Sequence, residues 1–125
     1  MSWEYYLVPI RGHKLEPGVL DAARKLVEKF PSFVRQDGTI HLCETTAIRD
    51  WIVNQKGVEN TPHTGTSAIS IEPRRVTYAT FVDPTFDLPF IEFVEDAMRR
   101  FQVELLGETE GVVDVAALKA RLTPA

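Results

Sequence analysis

Residues 3–30 read WEYYLVPIRGHKLEPGVLDAARKLVEKF, a strand pattern followed at once by a helix pattern. Residues 3–10 are dense in aromatic and β-branched side chains, which fit a pleated surface. Alternation sends Trp3, Tyr5 and Leu7 to one side and Tyr6, Val8 and Ile10 to the other. Apolar side chains on both faces predict an interior strand or a covered edge. Pro9 has no N–H to donate, so the strand ends there or loses a neighbour. Beyond the polar connection 11–14, Val19, Leu20, Ala23, Leu26, Val27 and Phe30 recur at helical spacing and form one stripe. Pro17 suits a first helical turn and Pro31 stops the helix. The spacing predicts an amphipathic helix over 16–30 lying on an apolar surface, most simply a sheet.

The remaining chain continues the alternation of strand and helix. Residues 33–36 and 39–42 flank Asp37-Gly38, a pair favoured in two-residue hairpin loops because both positions need positive φ. That register sets Phe33 opposite Leu42 and Val34 opposite His41. Ile48, Trp51 and Ile52 predict a helix over 46–55, capped by Thr45 or Thr46 and stopped by Gly57. A polar loop over 56–66 leads to two strands, 67–72 and 76–82, turned by Pro73 and Arg74. A second long helix is expected from Asp87, a good N-cap, to about Gln102, with Gly107 as the later stop. Its stripe is Phe90, Ile91, Val94, Ala97, Met98 and Phe101. Asp114 would cap a last helix over 115–122. This order predicts one α+β domain over residues 1–125. Its sheet is mostly antiparallel with about five strands, and two longer helices and one or two short ones pack against it.

Composition narrows the function classes. A chain of 125 residues has the usual size of one domain and needs no disulfide or metal to hold together. Cys43 is the single cysteine, so neither an internal disulfide nor a cysteine-based zinc site is available. No apolar run approaches the ~20 residues of a membrane span. The first residues show no basic segment followed by a long apolar one, and the expectation is a cytoplasmic protein. A net charge of −4 argues against nucleic-acid binding, which draws most of its affinity from phosphate neutralisation.

The motifs are weak. His41-Leu42-Cys43-Glu44 is the first candidate for chemistry, because His41 and Cys43 share a strand face and a thiolate needs a base or cation nearby. Side chains two apart on one strand run parallel instead of meeting, however, and a free cysteine is most often core filling. His13, His41 and His63 lack the spacing of a zinc motif, so no metal is expected. The hydroxyl-rich loop 60–67 has neither a P-loop nor a Gly-x-Gly-x-x-Gly pattern. Glu92, Glu95 and Asp96 sit beside Arg99 and Arg100 at helical spacings that make weak surface ion pairs. No cofactor is indicated.

Aromatic residues make up 10% of the chain, and Trp3, Tyr5 and Trp51 are candidates for an interface, where such side chains are enriched. The expectation is a protein-binding domain, of the inhibitor, immunity or adaptor type, with a homodimer as one way to cover surplus apolar surface. The alternative is a small-molecule-binding domain or minor enzyme, its pocket between sheet and helices near His41, Cys43 and Glu44.

Overall fold

A computed structural model describes residues 3–30, 32–36, 38–54, 66–80, 84–109 and 111–122. The fold is α+β. Among these residues the strands are β1 (Trp3–Pro9), β2 (Ser32–Gln36), β3 (Thr39–Cys43), β4 (Thr66–Ile71), β5 (Val76–Thr80), β6 (Val103–Gly107) and β7 (Gly111–Val112). The helices are α1 (Pro17–Glu28), α2 (Thr46–Asn54), α3 (Pro84–Arg100) and α4 (Val115–Leu122). All seven strands join one sheet in the order β2-β3-β4-β5-β1-β6-β7, and each neighbouring pair is antiparallel.

β1 is an interior strand, as its two apolar faces predict. Leu7 sits opposite Val76 of β5 on one side and Leu105 of β6 on the other. Pairing with β5 ends at Leu7, while pairing with β6 continues to Pro9 opposite Val103. Pro9 thus falls where one neighbour has already been lost, and its missing N–H costs the ladder nothing there. The β2–β3 hairpin has the expected register, Phe33 opposite Leu42 and Val34 opposite His41. Gly38 has φ 78°, the conformation that glycine adopts without a Cβ penalty. Asp37 lies outside the described residues.

Strand alternation divides the sheet into two unlike faces. Leu7, Ile40, Leu42, Ile69, Val76 and Leu105 point to the same side and join one core cluster with α1, α3 and α4. α1 contributes Val19, Ala23, Leu26 and Val27, and α3 contributes Phe86, Phe90, Ile91 and Val94. Gly18 lets α1 approach the end of α3: a Cβ there would lie 2.6 Å from the Phe101 ring. The opposite face carries Tyr6, Val8, Ala68, Ala79 and Leu106, all half-buried and outside that cluster. α2 touches β2 and β3, and the Arg49 Nε donates to the Phe33 carbonyl at 3.2 Å. Thr45 caps α2 through Ile48 N–H, and Asp114 caps α4 through Ala117 N–H. Among the described residues no helix is long and apolar enough to cross a membrane.

Two expectations need correction. The sheet has seven described strands instead of about five, because α3 stops at Arg100 and residues 103–107 form β6. A helix continued through this segment would carry Val103 to its polar side. As a strand it buries Val103 and Leu105 in the core and satisfies the free edge of β1. Gly111, at φ 71°, opens β7, which pairs antiparallel with β6. The second correction concerns Asp87, which is not the N-cap of α3. That helix starts at Pro84, a residue suited to the first turn, and Asp87 lies within the helix with 5% of its surface exposed.

The core assignment of α1 is tested by Leu26→Ala. Leu26 is 1% exposed, so the substitution is expected to lower the unfolding free energy by ~2–5 kcal/mol in a urea titration. A loss below ~0.5 kcal/mol, the range of surface substitutions, would contradict it.

Candidate active or binding site between the sheet and α3–α4

The core side of the sheet is not filled uniformly. Toward the start of β1 and the end of β5 it opens into a half-open cavity of about 400 Å³ bordered by α3 and α4. Trp3 and Tyr5 form part of the sheet wall, opposite Thr80 and Tyr78 in register. α3 supplies Asp87, Phe90 and Ile91, and α4 supplies Leu118, Arg121 and Leu122. α4 is joined to α3 by an ion pair between Lys119 Nζ and Glu95 Oε1 at 2.9 Å. The pair is partly exposed and contributes little energy, so α4 is seated chiefly by burial of Val115 and Leu118.

A buried polar pair lies among these side chains. The Tyr78 hydroxyl donates to Asp87 Oδ1 at 2.6 Å, and both residues are buried. The Tyr78 ring stacks on Phe90, with centroids 4.1 Å apart and planes 11° from parallel. Phe90 is three residues along α3 from Asp87, so one turn of helix fixes both the ring and the carboxylate that the hydroxyl meets. Burial is the largest cause raising the Tyr78 pKa far above the ordinary tyrosine value. The Asp87 charge and hydrogen bond push the same way, while the Ser67 and Thr80 hydroxyls oppose them. Tyr78 therefore stays a neutral hydrogen-bond donor to the Asp87 carboxyl.

The residues expected from sequence to carry chemistry are elsewhere. Cys43 is fully buried, and its thiol donates to the His41 carbonyl at 3.7 Å. Burial pushes the Cys43 thiol up, and the nearby Arg49 guanidinium only partly offsets this. Burial lowers the pKa of the half-buried His41. Glu44 is exposed, and none of these three lines the cavity. Trp3 and Tyr5 do line it, whereas Trp51 is half-buried on α2 and does not. Asp96 on the outer face of α3 pairs with Arg100 at 3.1 Å and Arg99 at 3.2 Å, which hold its carboxyl below the usual range. Most of the hydroxyl-rich loop, including His63, lies outside the described residues. Among the described residues no three His, Cys, Asp or Glu side chains converge as metal ligands would.

Sequence reasoning missed the Tyr78–Asp87 pair although one signal was present. Asp87 precedes Phe90 and Ile91 by three and four residues, which places a carboxylate on the apolar stripe of α3. A carboxylate on such a stripe needs a buried partner.

Two measurements check these assignments. In an ultraviolet pH titration of the native protein, the buried Tyr78 should remain protonated, so Tyr78→Phe should leave the native amplitude unchanged. Because the folded pKa is raised, the stability that Tyr78 contributes is complete below the unfolded value near 10.0 and declines as pH rises above it. A drop in native amplitude in Tyr78→Phe would contradict the burial. Separately, the Cys43 thiol should react with iodoacetamide more slowly in the native protein than in denaturant. An equal or faster native rate would mean an accessible, activated thiol.

Compared with known proteins, the chain matches no family model, no characterised protein and no solved structure.

Proposed function

We propose that this protein is a small-molecule-binding domain whose ligand occupies the cavity between the sheet and helices α3 and α4. The observation that carries this reading is a cavity of about 400 Å³ that combines aromatic walls with the buried Tyr78–Asp87 pair. Ligand sites are typically ~300–1,000 Å³, lined mainly by apolar and aromatic side chains with a few oriented polar groups. At the cavity Trp3 keeps 46% of its surface exposed, and a bound molecule would cover part of it. Binding, without a chemical step, is the function this arrangement supports, in a cytoplasmic protein.

A second reading, a protein-binding domain of the inhibitor, immunity or adaptor type, is favoured by the other sheet face. Tyr6, Val8, Ala68, Ala79 and Leu106 lie there half-buried, and Val112 on the edge strand β7 is 64% exposed. A partner protein or a second copy could cover that face.

The first reading is tested by a thermal-shift screen with small aromatic and aliphatic molecules of differing charge. A ligand at one hundred times its dissociation constant adds ~2.7 kcal/mol, which moves the midpoint of a domain this size by several degrees. At least one compound should give a saturable rise that Leu122→Trp, which adds bulk at the cavity wall, abolishes. A flat response over the panel, or a rise that Leu122→Trp leaves intact, would move the function to the outer face of the sheet.

A further inference from the structure

The face of the sheet turned away from α1, α3 and α4 has a step at one side and is short at the other. Cys43 alternates to this side and is nevertheless fully buried. Neither it nor the buried Ile52 of α2 belongs to the main core cluster. α2 touches β2 and β3, so it lies over that end of the outer face. In the strand order β3 and β2 are third and fourth from β1 on one side, while β7 is second from β1 and ends the described sheet on the other. At ~4.8 Å per strand, α2 stands about 14–19 Å from the line of β1, and the β7 edge about 10 Å from it. Between them lie Tyr6, Val8 and Leu106, half-buried, and Val112, 64% exposed.

The charges on this face are arranged about β1. Val8 lies opposite Glu104 of β6, and alternation sends both side chains outward. On the other side of β1 the register with β5 runs to Leu7 opposite Val76, and Arg75 is the next residue in that line, beside Val8. The Arg75 guanidinium lies over the Tyr6 ring, 5.3 Å from its centroid, which places it on the outer face. A base and an acid therefore flank Val8, one strand away on either side. Among the described residues neither joins an ion pair within the chain.

A twofold axis laid along β1, between two copies stacked face to face, exchanges these two sides. Arg75 of each copy then comes over Glu104 of the other, and Tyr6 and Val8 meet their own counterparts. Aligned sheets stack ~10 Å apart, a gap that an arginine and a glutamate together can span. The same rotation sets α2 of each copy just beyond the β7 edge of its partner, so the two steps clear the sheets and flank them. The elements brought together there carry Val53 and Val112, 50% and 64% exposed. An axis on β5 would instead drive α2 into the partner's β6 and β7, and an axis on β6 would cover only β1, β6 and β7.

We propose that the outer face of the sheet is the interface of a homodimer whose twofold axis runs along β1. The occupant is a second copy of this chain, because the face complements itself both in charge and in the match of step to edge. The proposal is independent of the ligand reading, since the cavity lies on the other side of the sheet.

Sedimentation velocity of the full chain over a concentration series up to about 200 μM tests it, and the dimer is expected to dominate at the upper end. Arg75→Glu and Glu104→Arg each set like charges against each other twice per dimer, and each alone should raise the dissociation constant by at least ~10-fold. An equimolar mixture of the two variants should recover dimer to within about threefold of the unmodified protein, because both reciprocal pairs are restored between unlike copies. That recovery also shows both variants to be folded, and a pair formed within one chain would not produce it. A monomer throughout the series would overturn the homodimer. A dimer that neither substitution weakens, or a mixture that stays monomeric, would overturn the assignment of this face and axis.

Discussion

Everything in this fold is referred to β1, the strand that both halves of the sheet share. Hydrogen bonds to β5 on one side and β6 on the other place Val76, Leu7 and Leu105 side by side, and α1 and α3 lie over that apolar row. A strand that satisfies both of its edges leaves no free ladder for another chain, and the burial of its central leucine is complete. Because alternation is strict, the same register that buries Leu7 also directs Tyr5 and Trp3 to the helix side near the beginning of the strand. There the cavity opens between the sheet, α3 and α4. The geometry of the site is thus a consequence of where β1 sits, with no separate scaffold.

The Tyr78–Asp87 hydrogen bond is the polar counterpart of that apolar row. A buried carboxylate is costly unless a donor meets it, and a buried phenol is costly unless it finds an acceptor. Placing the two together resolves both, and it ties β5 to the first turns of α3. The stacked Phe90 ring restricts Tyr78 further, so the hydroxyl has a defined direction. Such a pair can be purely structural. Its position at the wall of a 400 Å³ cavity, among aromatic neighbours, is what the proposed ligand site draws on.

Long, periodic elements were legible in the sequence and short, tertiary-dependent ones were not. The stripe of α1, the interior character of β1 and the register of the β2–β3 hairpin follow from side-chain spacing, which local physics decides. β6 was not legible, because Val103 and Leu105 reveal their alternation only when β1 offers an edge for pairing. The short β7 depends in turn on β6. For the site, a chemical vocabulary of His, Cys and Glu drew attention to residues 41–44, where the structure has a buried thiol and an exposed carboxylate. Trp3 and Tyr5 stand out in the sequence as interface candidates, and both line the cavity. What they face, a cavity, depends on how α3 and α4 pack on the sheet, and no local residue pattern encodes that. Asp87 was read as a cap because capping is what an aspartate near a helix start most often does.

The central claim is that this cavity, and not the outer face of the sheet, receives the ligand, and Trp3 reports on it directly. The protein has two tryptophans, and Trp51 does not line the cavity. In a Trp51→Phe variant the indole emission comes from Trp3 alone. Titration with a bound ligand should change the intensity or wavelength of that emission saturably, with the same midpoint as calorimetry. Binding detected by calorimetry with no change in Trp3 emission would place the ligand elsewhere and contradict the account.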